Sequence, residues 1–161
     1  MLEIDKITKE LSAITDPEIP VITIDELGVL RDVCFQGEEL VVTITPTYSG
    51  CPAMDRFQSD IKEKLKEINV KKFKISLQYD PPWTTDWLSE KAKAKLKAYG
   101  IAPPAHKTTD KNVLMGENKE VNCPRCESVS TELVSQFGST ACKAMYRCTS
   151  CLEPFEYFKC L

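Results

Sequence analysis

With 161 residues, 42% of them hydrophobic and 28% charged, the chain can hold one small globular domain plus a satellite module. Its formal charge of −3 lacks the basic footprint of a nucleic-acid binder, so no nucleic-acid partner is expected. Its longest apolar stretch, Leu40–Ile44, is far short of the roughly 20 residues that span a bilayer.

The N-terminus, MLEIDKITKE, is charged and lacks the apolar core of a signal peptide, which leads us to expect a cytoplasmic protein with no membrane partner. In a reducing compartment, eight cysteines are read as metal ligands, reactive thiols or small core residues rather than as a disulfide framework. His106 is the single histidine, which excludes paired-histidine metal catalysis and argues against a Ser/His/Asp hydrolase. A chain so poor in the commonest general base is expected not to be an acid–base enzyme.

Ile4, Ile7, Leu11 and Ile14 recur at helical spacing, so residues 3–14 are predicted to form an amphipathic helix that stops at Asp16-Pro17-Glu18. Residues 19–26, with Pro20 and two acids, are expected to be irregular but ordered. Leu27–Phe35 and Glu39–Thr45 flank Gln36-Gly37 and predict a β-hairpin. A loop follows, Pro46-Thr47-Tyr48-Ser49-Gly50-Cys51-Pro52, and Pro52 suits the first turn of a helix. Met54, Phe57, Ile61, Leu65 and Ile68 line one face of that helix. Phe73, Ile75, Leu77 and Tyr79 alternate, predicting a strand over 72–79 with one buried face. A last helix, capped by Thr84 or Thr85, carries the stripe Leu88, Ala92, Leu96 and Tyr99 and ends at Gly100.

This order, α-β-β-α-β-α, predicts a small α+β domain over residues 1–104 with a three-stranded sheet. Residues 105–121 are polar and aperiodic and are expected to be a linker. The four lysines at 91, 93, 95 and 97 fall around the polar side of the last helix and are read as a solvated face.

Residues 122–161 hold six of the eight cysteines. Cys123-Pro-Arg-Cys126 and Cys148-Thr-Ser-Cys151 are separated by 21 residues. Each Cys-x-x-Cys forms a knuckle that presents two sulfurs, and two knuckles complete a tetrahedron of thiolates suited to zinc. The spacer accommodates strands over Thr131–Ser135 and Thr140–Arg147, the pattern of a zinc ribbon. With four protein ligands the metal's sphere is closed, so its expected role is structural. A thiol–disulfide pair and an iron–sulfur cluster are the competing uses of the same cysteines. Cys142 and Cys160 are left over, as small core residues, as replacements for a knuckle ligand, or as additional thiols that hold a second, softer metal.

Cys51 sits at the expected N-terminus of the helix after Pro52, where unpaired amides and the helix dipole favour an anion. Thr47, Tyr48 and Ser49 add hydroxyls beside it. Such a thiol can ligate a metal or attack an electrophile, and the alternative is a packed core cysteine.

Asp16-Pro17-Glu18-Ile19-Pro20 and Thr45-Pro46-Thr47-Tyr48-Ser49-Gly50-Cys51-Pro52 resemble the signature segments of the iron–sulfur cluster assembly family that includes SufT. The tail is similar to that of the PaaD family of phenylacetyl-CoA epoxidase accessory proteins. The residues that carry this are Phe137-Gly138-Ser139-Thr140-Ala141-Cys142-Lys143, Cys148-x-x-Cys151, and Glu153-Pro154-Phe155 through Phe158-Lys159-Cys160. The resemblance implies an accessory factor that assembles or maintains an iron centre, di-iron or iron–sulfur, and works with the oxygenase or the iron–sulfur reductase. It also implies that Cys51 handles iron or a cluster transiently, with Asp16 and Glu18 as the acidic signature near its loop. The alternative is a non-catalytic structural subunit of the epoxidase that docks through the ribbon.

Overall fold

A computed structural model describes residues 3–104 and 120–159. Its described residues fall into two compact units that divide between Trp83 and Thr84.

The first unit opens with helix α1, Ile4–Ser12, which buries Ile7 and Leu11. The segment from Ile14 to Val29 has no regular structure apart from a bridge between Thr15 and Thr23, yet it is built. Ile19, Ile22, Ile24, Leu27 and Val29 are all buried, and the backbone is tied both within the segment and outside it, where Leu27 C=O accepts the Trp83 Nε1–H at 2.8 Å and Val29 C=O accepts the Thr45 N–H at 2.9 Å. Thr23 Oγ1 accepts the Glu26 N–H at 3.2 Å while Glu26 Oε2 accepts the Thr23 N–H at 3.2 Å, a reciprocal capping box.

Strands β1, Leu30–Gln36, and β2, Glu39–Ile44, form the expected hairpin. Gly37 takes the first turn position at φ +66°, a conformation open to glycine at little cost. Helix α2, Ala53–Glu67, then carries the chain back to strand β3, Phe73–Leu77, which lies parallel to β2. The sheet order is β1-β2-β3, so β2 is central and buries Leu40, Val41, Val42 and Ile44. Against it α2 contributes Met54, Phe57, Ile61 and Leu65, the face that its periodicity predicts. The predicted buried face of β3 is only partly realised: Phe73 and Ile75 are half-buried, and Leu77 and Tyr79 are exposed. As an edge strand, β3 is covered from one side only.

The second unit starts with a 3₁₀ turn, Thr85–Trp87, capped by Thr84, and helix α3, Glu90–Tyr99. The cap of α3 is Ser89, whose Oγ accepts the Ala92 N–H at 3.0 Å, and Gly100 ends it at φ +92° as expected. Strand β4, Ile101–Ala102, comes next. It pairs in parallel with β7, Pro154–Phe158, in a four-stranded sheet ordered β4-β7-β6-β5, where β5 is Thr131–Ser135 and β6 is Lys143–Cys148. The compact units therefore divide upstream of the expected boundary at residue 104, because α3 and β4 group with the ribbon strands. Most of the expected linker lies outside the described residues, as does His106. Val121 belongs to the ribbon itself, buried in a core with Ala102, Ala144, Tyr146, Phe155 and Tyr157. Among the described residues no helix is long and apolar enough to cross a membrane.

Candidate metal centre

The first knuckle is a tight turn in which Cys123 C=O accepts the Glu127 N–H and the Cys123 N–H bonds Ser128 C=O, both at 2.9 Å. Glu127 must take φ +62° to close it. The second repeats the pattern: the Cys148 N–H bonds Glu153 C=O at 3.0 Å, and Leu152 takes φ +65°. The knuckles are joined side by side. Thr149 donates both its N–H and its hydroxyl to Ser130 C=O at 2.9 Å, and the Ser128 and Ser150 hydroxyls meet at 2.8 Å.

This brings the four sulfurs within 4.8 Å of one another. Cys123 and Cys151 are 3.7 Å apart and Cys126 and Cys148 3.5 Å, across the knuckles rather than within them. Four thiolates about 2.3 Å from one zinc ion would stand about 3.8 Å apart, so the donor set fits a tetrahedral soft metal. The distances are far too long for disulfides, and none of the four cysteines forms one. Cys123 and Cys148 are buried while Cys126 and Cys151 are exposed. The Cys151 amide is aimed at Cys148 Sγ, and with the Ser150 amide and the Cys126 thiol it pulls the Cys148 thiol down to about 6. Against the lowering pull of the Glu153 amide, burial and the neighbouring thiols push Cys151 up to about 12. So many thiols in one place share few protons easily, and a metal relieves the conflict by holding all four deprotonated.

The two leftover cysteines of the tail stand apart from this cluster. Cys142 is buried just before β6, at the opposite end of that strand from Cys148, roughly 20 Å away at about 3.3 Å per residue. It cannot replace a knuckle ligand. Its Sγ meets the Thr140 hydroxyl at 3.1 Å, and its carbonyl accepts the Lys159 N–H at 2.9 Å. Cys160 lies outside the described residues.

In the first unit, Pro52 occupies the N-cap of α2 and Cys51 stands one residue outside it. The Cys51 carbonyl accepts the Met54 N–H at 3.2 Å, and Thr47 Oγ1 approaches Cys51 Sγ at 4.0 Å, so the loop folds those two side chains together. Cys51 is half-buried, and Ser49 and Gly50 are exposed at the loop tip. Gly50, at φ +75°, turns the chain into α2. Asp16 is buried, and its Oδ1 accepts the Glu18 and Ile19 amides at 2.7 and 2.8 Å. Those bonds make it the organiser of its own turn, while Glu18 is exposed. Sequence patterning missed the pair of buried Lys143 and half-buried Glu156, at 3.2 Å, which supports the turn before β6. Lys143 stands at the start of β6 and Arg147 also lies on that strand, exposed, so nothing in the local sequence marks the lysine as the buried one.

The architecture is that of an iron–sulfur cluster assembly domain followed by a zinc ribbon. Residues 4–76 match the iron–sulfur cluster assembly protein family, and residues 107–159 match the PaaD zinc beta ribbon domain. The chain belongs to the PaaD family. It is 49% identical to an Escherichia coli (strain K12) protein described as a putative subunit of 1,2-phenylacetyl-CoA epoxidase, over 99% of this chain and 94% of that one. A Porphyromonas gingivalis (strain ATCC BAA-308 / W83) Fe-S protein maturation auxiliary factor is 37% identical over 57% of this chain and 89% of its own length. Among solved structures, a Bacillus anthracis domain of unknown function, DUF59, aligns with a TM-score of 0.52 and 31% identity, covering 58% of this chain and 90% of that one.

Proposed function

We propose that this protein is a non-catalytic accessory factor, acting in the cytoplasm, that helps assemble or maintain an iron centre of a phenylacetyl-CoA epoxidase. In this reading Cys123, Cys126, Cys148 and Cys151 hold a structural zinc, and Cys51 is the thiol that transiently takes iron or an iron–sulfur cluster as cargo. Thr47 and Ser49 border that thiol, and Asp16 and Glu18 shape the acidic turn of the same unit. The observation that carries the proposal is the division of thiols along the chain. The four knuckle sulfurs lie within 4.8 Å of one another, enough to close a metal's sphere, whereas Cys51 is half-exposed on a loop with the Thr47 hydroxyl 4.0 Å from its sulfur. Labile metal chemistry needs an open position, and only the second arrangement offers one. The similarity to Fe-S maturation auxiliary factors supports the same role.

A structural-subunit reading is favoured by one observation, the description of the Escherichia coli relative as a subunit. There the ribbon would dock the chain onto the oxygenase or reductase, and Cys51 would be dispensable. Iron content of the epoxidase components, produced with and without this protein, separates the two. Iron lost from one component without this protein supports maturation, and fully metallated components that fail to associate support the structural role.

A further inference from the structure

The four knuckle cysteines are not equivalent. Each cross-knuckle contact, Cys126–Cys148 at 3.5 Å and Cys123–Cys151 at 3.7 Å, joins one exposed residue to one buried residue. We infer that Cys126 and Cys151 are peroxide-oxidisable outer thiolates, each resolved across the knuckles by its buried partner, so that the metal centre opens reversibly under oxidant.

The chemistry takes two steps. An outer thiolate attacks one oxygen of hydrogen peroxide, breaking the O–O bond, and yields a sulfenic acid and hydroxide. The buried partner thiolate then attacks the sulfenic sulfur, forms the S–S bond and expels a second hydroxide. Two electrons pass from the two thiolates to the peroxide, and two ligands become one disulfide. Exposure decides which sulfur is struck first, because oxidation follows thiolate character and access, and metal ligation makes all four thiolates alike. Each cross pair already stands at contact, so its sulfurs need only close to about 2.05 Å.

The product has a structural consequence. Cys126 and Cys148 lie on different knuckles, on either side of β5. A disulfide between them ties the knuckles together after the metal is lost, and so does Cys123–Cys151. A disulfide within one Cys-x-x-Cys would leave the knuckles free to part. The cross-linked ribbon therefore stays poised to regain metal on reduction.

This inference rests on the four-thiol metal site and is independent of the epoxidase client. The full-length zinc-loaded protein is treated with hydrogen peroxide. Zinc release is followed with a chromogenic chelator, and disulfides are mapped by mass spectrometry after blocking free thiols without reduction. The expected result is one zinc released per first disulfide, that disulfide being Cys126–Cys148 or Cys123–Cys151, with metal uptake restored by a thiol reductant and zinc. A Cys34→Ser/Cys51→Ser/Cys142→Ser/Cys160→Ser variant should release zinc within twofold of the wild-type rate. A first product of Cys123–Cys126 or Cys148–Cys151 overturns the inference. So does sulfenic acid trapped first at Cys123 or Cys148, or a ribbon still metallated when free thiols elsewhere are fully oxidised. Protein that carries no metal before peroxide contradicts the metal site itself, and the two failures are thus distinct.

Discussion

Lys143 Nζ lies 3.2 Å from Glu156 Oε2 with only 4% of the lysine exposed, and Glu156 Oε1 accepts the Ser139 N–H at 2.6 Å. The pair fixes the turn between β5 and β6, whose Gly138 N–H bonds Lys143 C=O at 2.7 Å. A Cβ on Gly138 would stand 2.6 Å from Glu156 Oε1. Side-chain ends usually yield to such a clash, but this carboxylate is held from two sides. Gly138→Ala is therefore expected to cost about 1–3 kcal/mol, the scale of a disrupted buried polar contact. Chemical denaturation of the metallated protein measures it, and a neutral effect would show the carboxylate free to move.

The same carboxylate sets a pH dependence. Burial alone would push Glu156 up, but the Ser139 amide and hydroxyl and the Lys143 ammonium outweigh it and hold the group below the usual carboxylate range. A depressed folded pKa contributes stability that is complete above the unfolded value, about 4.3, and is lost as pH falls through the folded one. Glu156→Gln should therefore lose about 2 kcal/mol near neutral pH, since it strands a buried ammonium. Its deficit against wild type should shrink in acid below about pH 4. A deficit constant with pH would contradict the ion-pair account.

Asp16→Ala removes an acceptor that two buried or part-buried amides share, and should cost about 1–3 kcal/mol. Asp16→Asn keeps an oxygen at that position and should recover at least half of the loss. Thermal unfolding of both variants tests whether the residue is the organiser of its turn.

Removal of metal should dissolve the second sheet. Knuckle folding is expected to be largely metal-binding energy, so chelation or Cys148→Ser should abolish the ribbon's amide protection. Protection at Ile101 and Ala102 should go with it, because β4 joins the sheet through β7. Hydrogen exchange reads both, and the amides of residues 30–77 should keep their protection. A chelated protein with an intact β6–β7 ladder would contradict the metal assignment.

How much of this was legible depended on whether the cause was local. The two Cys-x-x-Cys pairs, the α2 stripe and the Gly37 and Gly100 positions announce themselves, because spacing and backbone conformation are written in neighbouring residues. Strand β4 could not be read, since Ile101 and Ala102 become a strand only by pairing with residues far along the chain. The alternation in β3 was correct as a strand signal but overstated burial, which an edge position limits. Asp16 stands in a turn-forming Asp-Pro-Glu segment, yet which amides it accepts from depends on how that turn folds. Cys142 was separable from the metal ligands only once strand β6 was placed between them.

In the proposed function, cargo iron passes through Cys51 while the ribbon holds structure. Cys51→Ala removes a half-exposed loop side chain whose contact with the Thr47 hydroxyl is a long one, so the fold should change by about 0.5 kcal/mol or less. The direct measurement is iron per epoxidase component purified from cells carrying Cys51→Ala, alongside zinc in the variant itself. The account predicts normal zinc, normal folding and one component depleted of iron with epoxidation of phenylacetyl-CoA lost. Fully metallated, active epoxidase in the Cys51→Ala cells would contradict it.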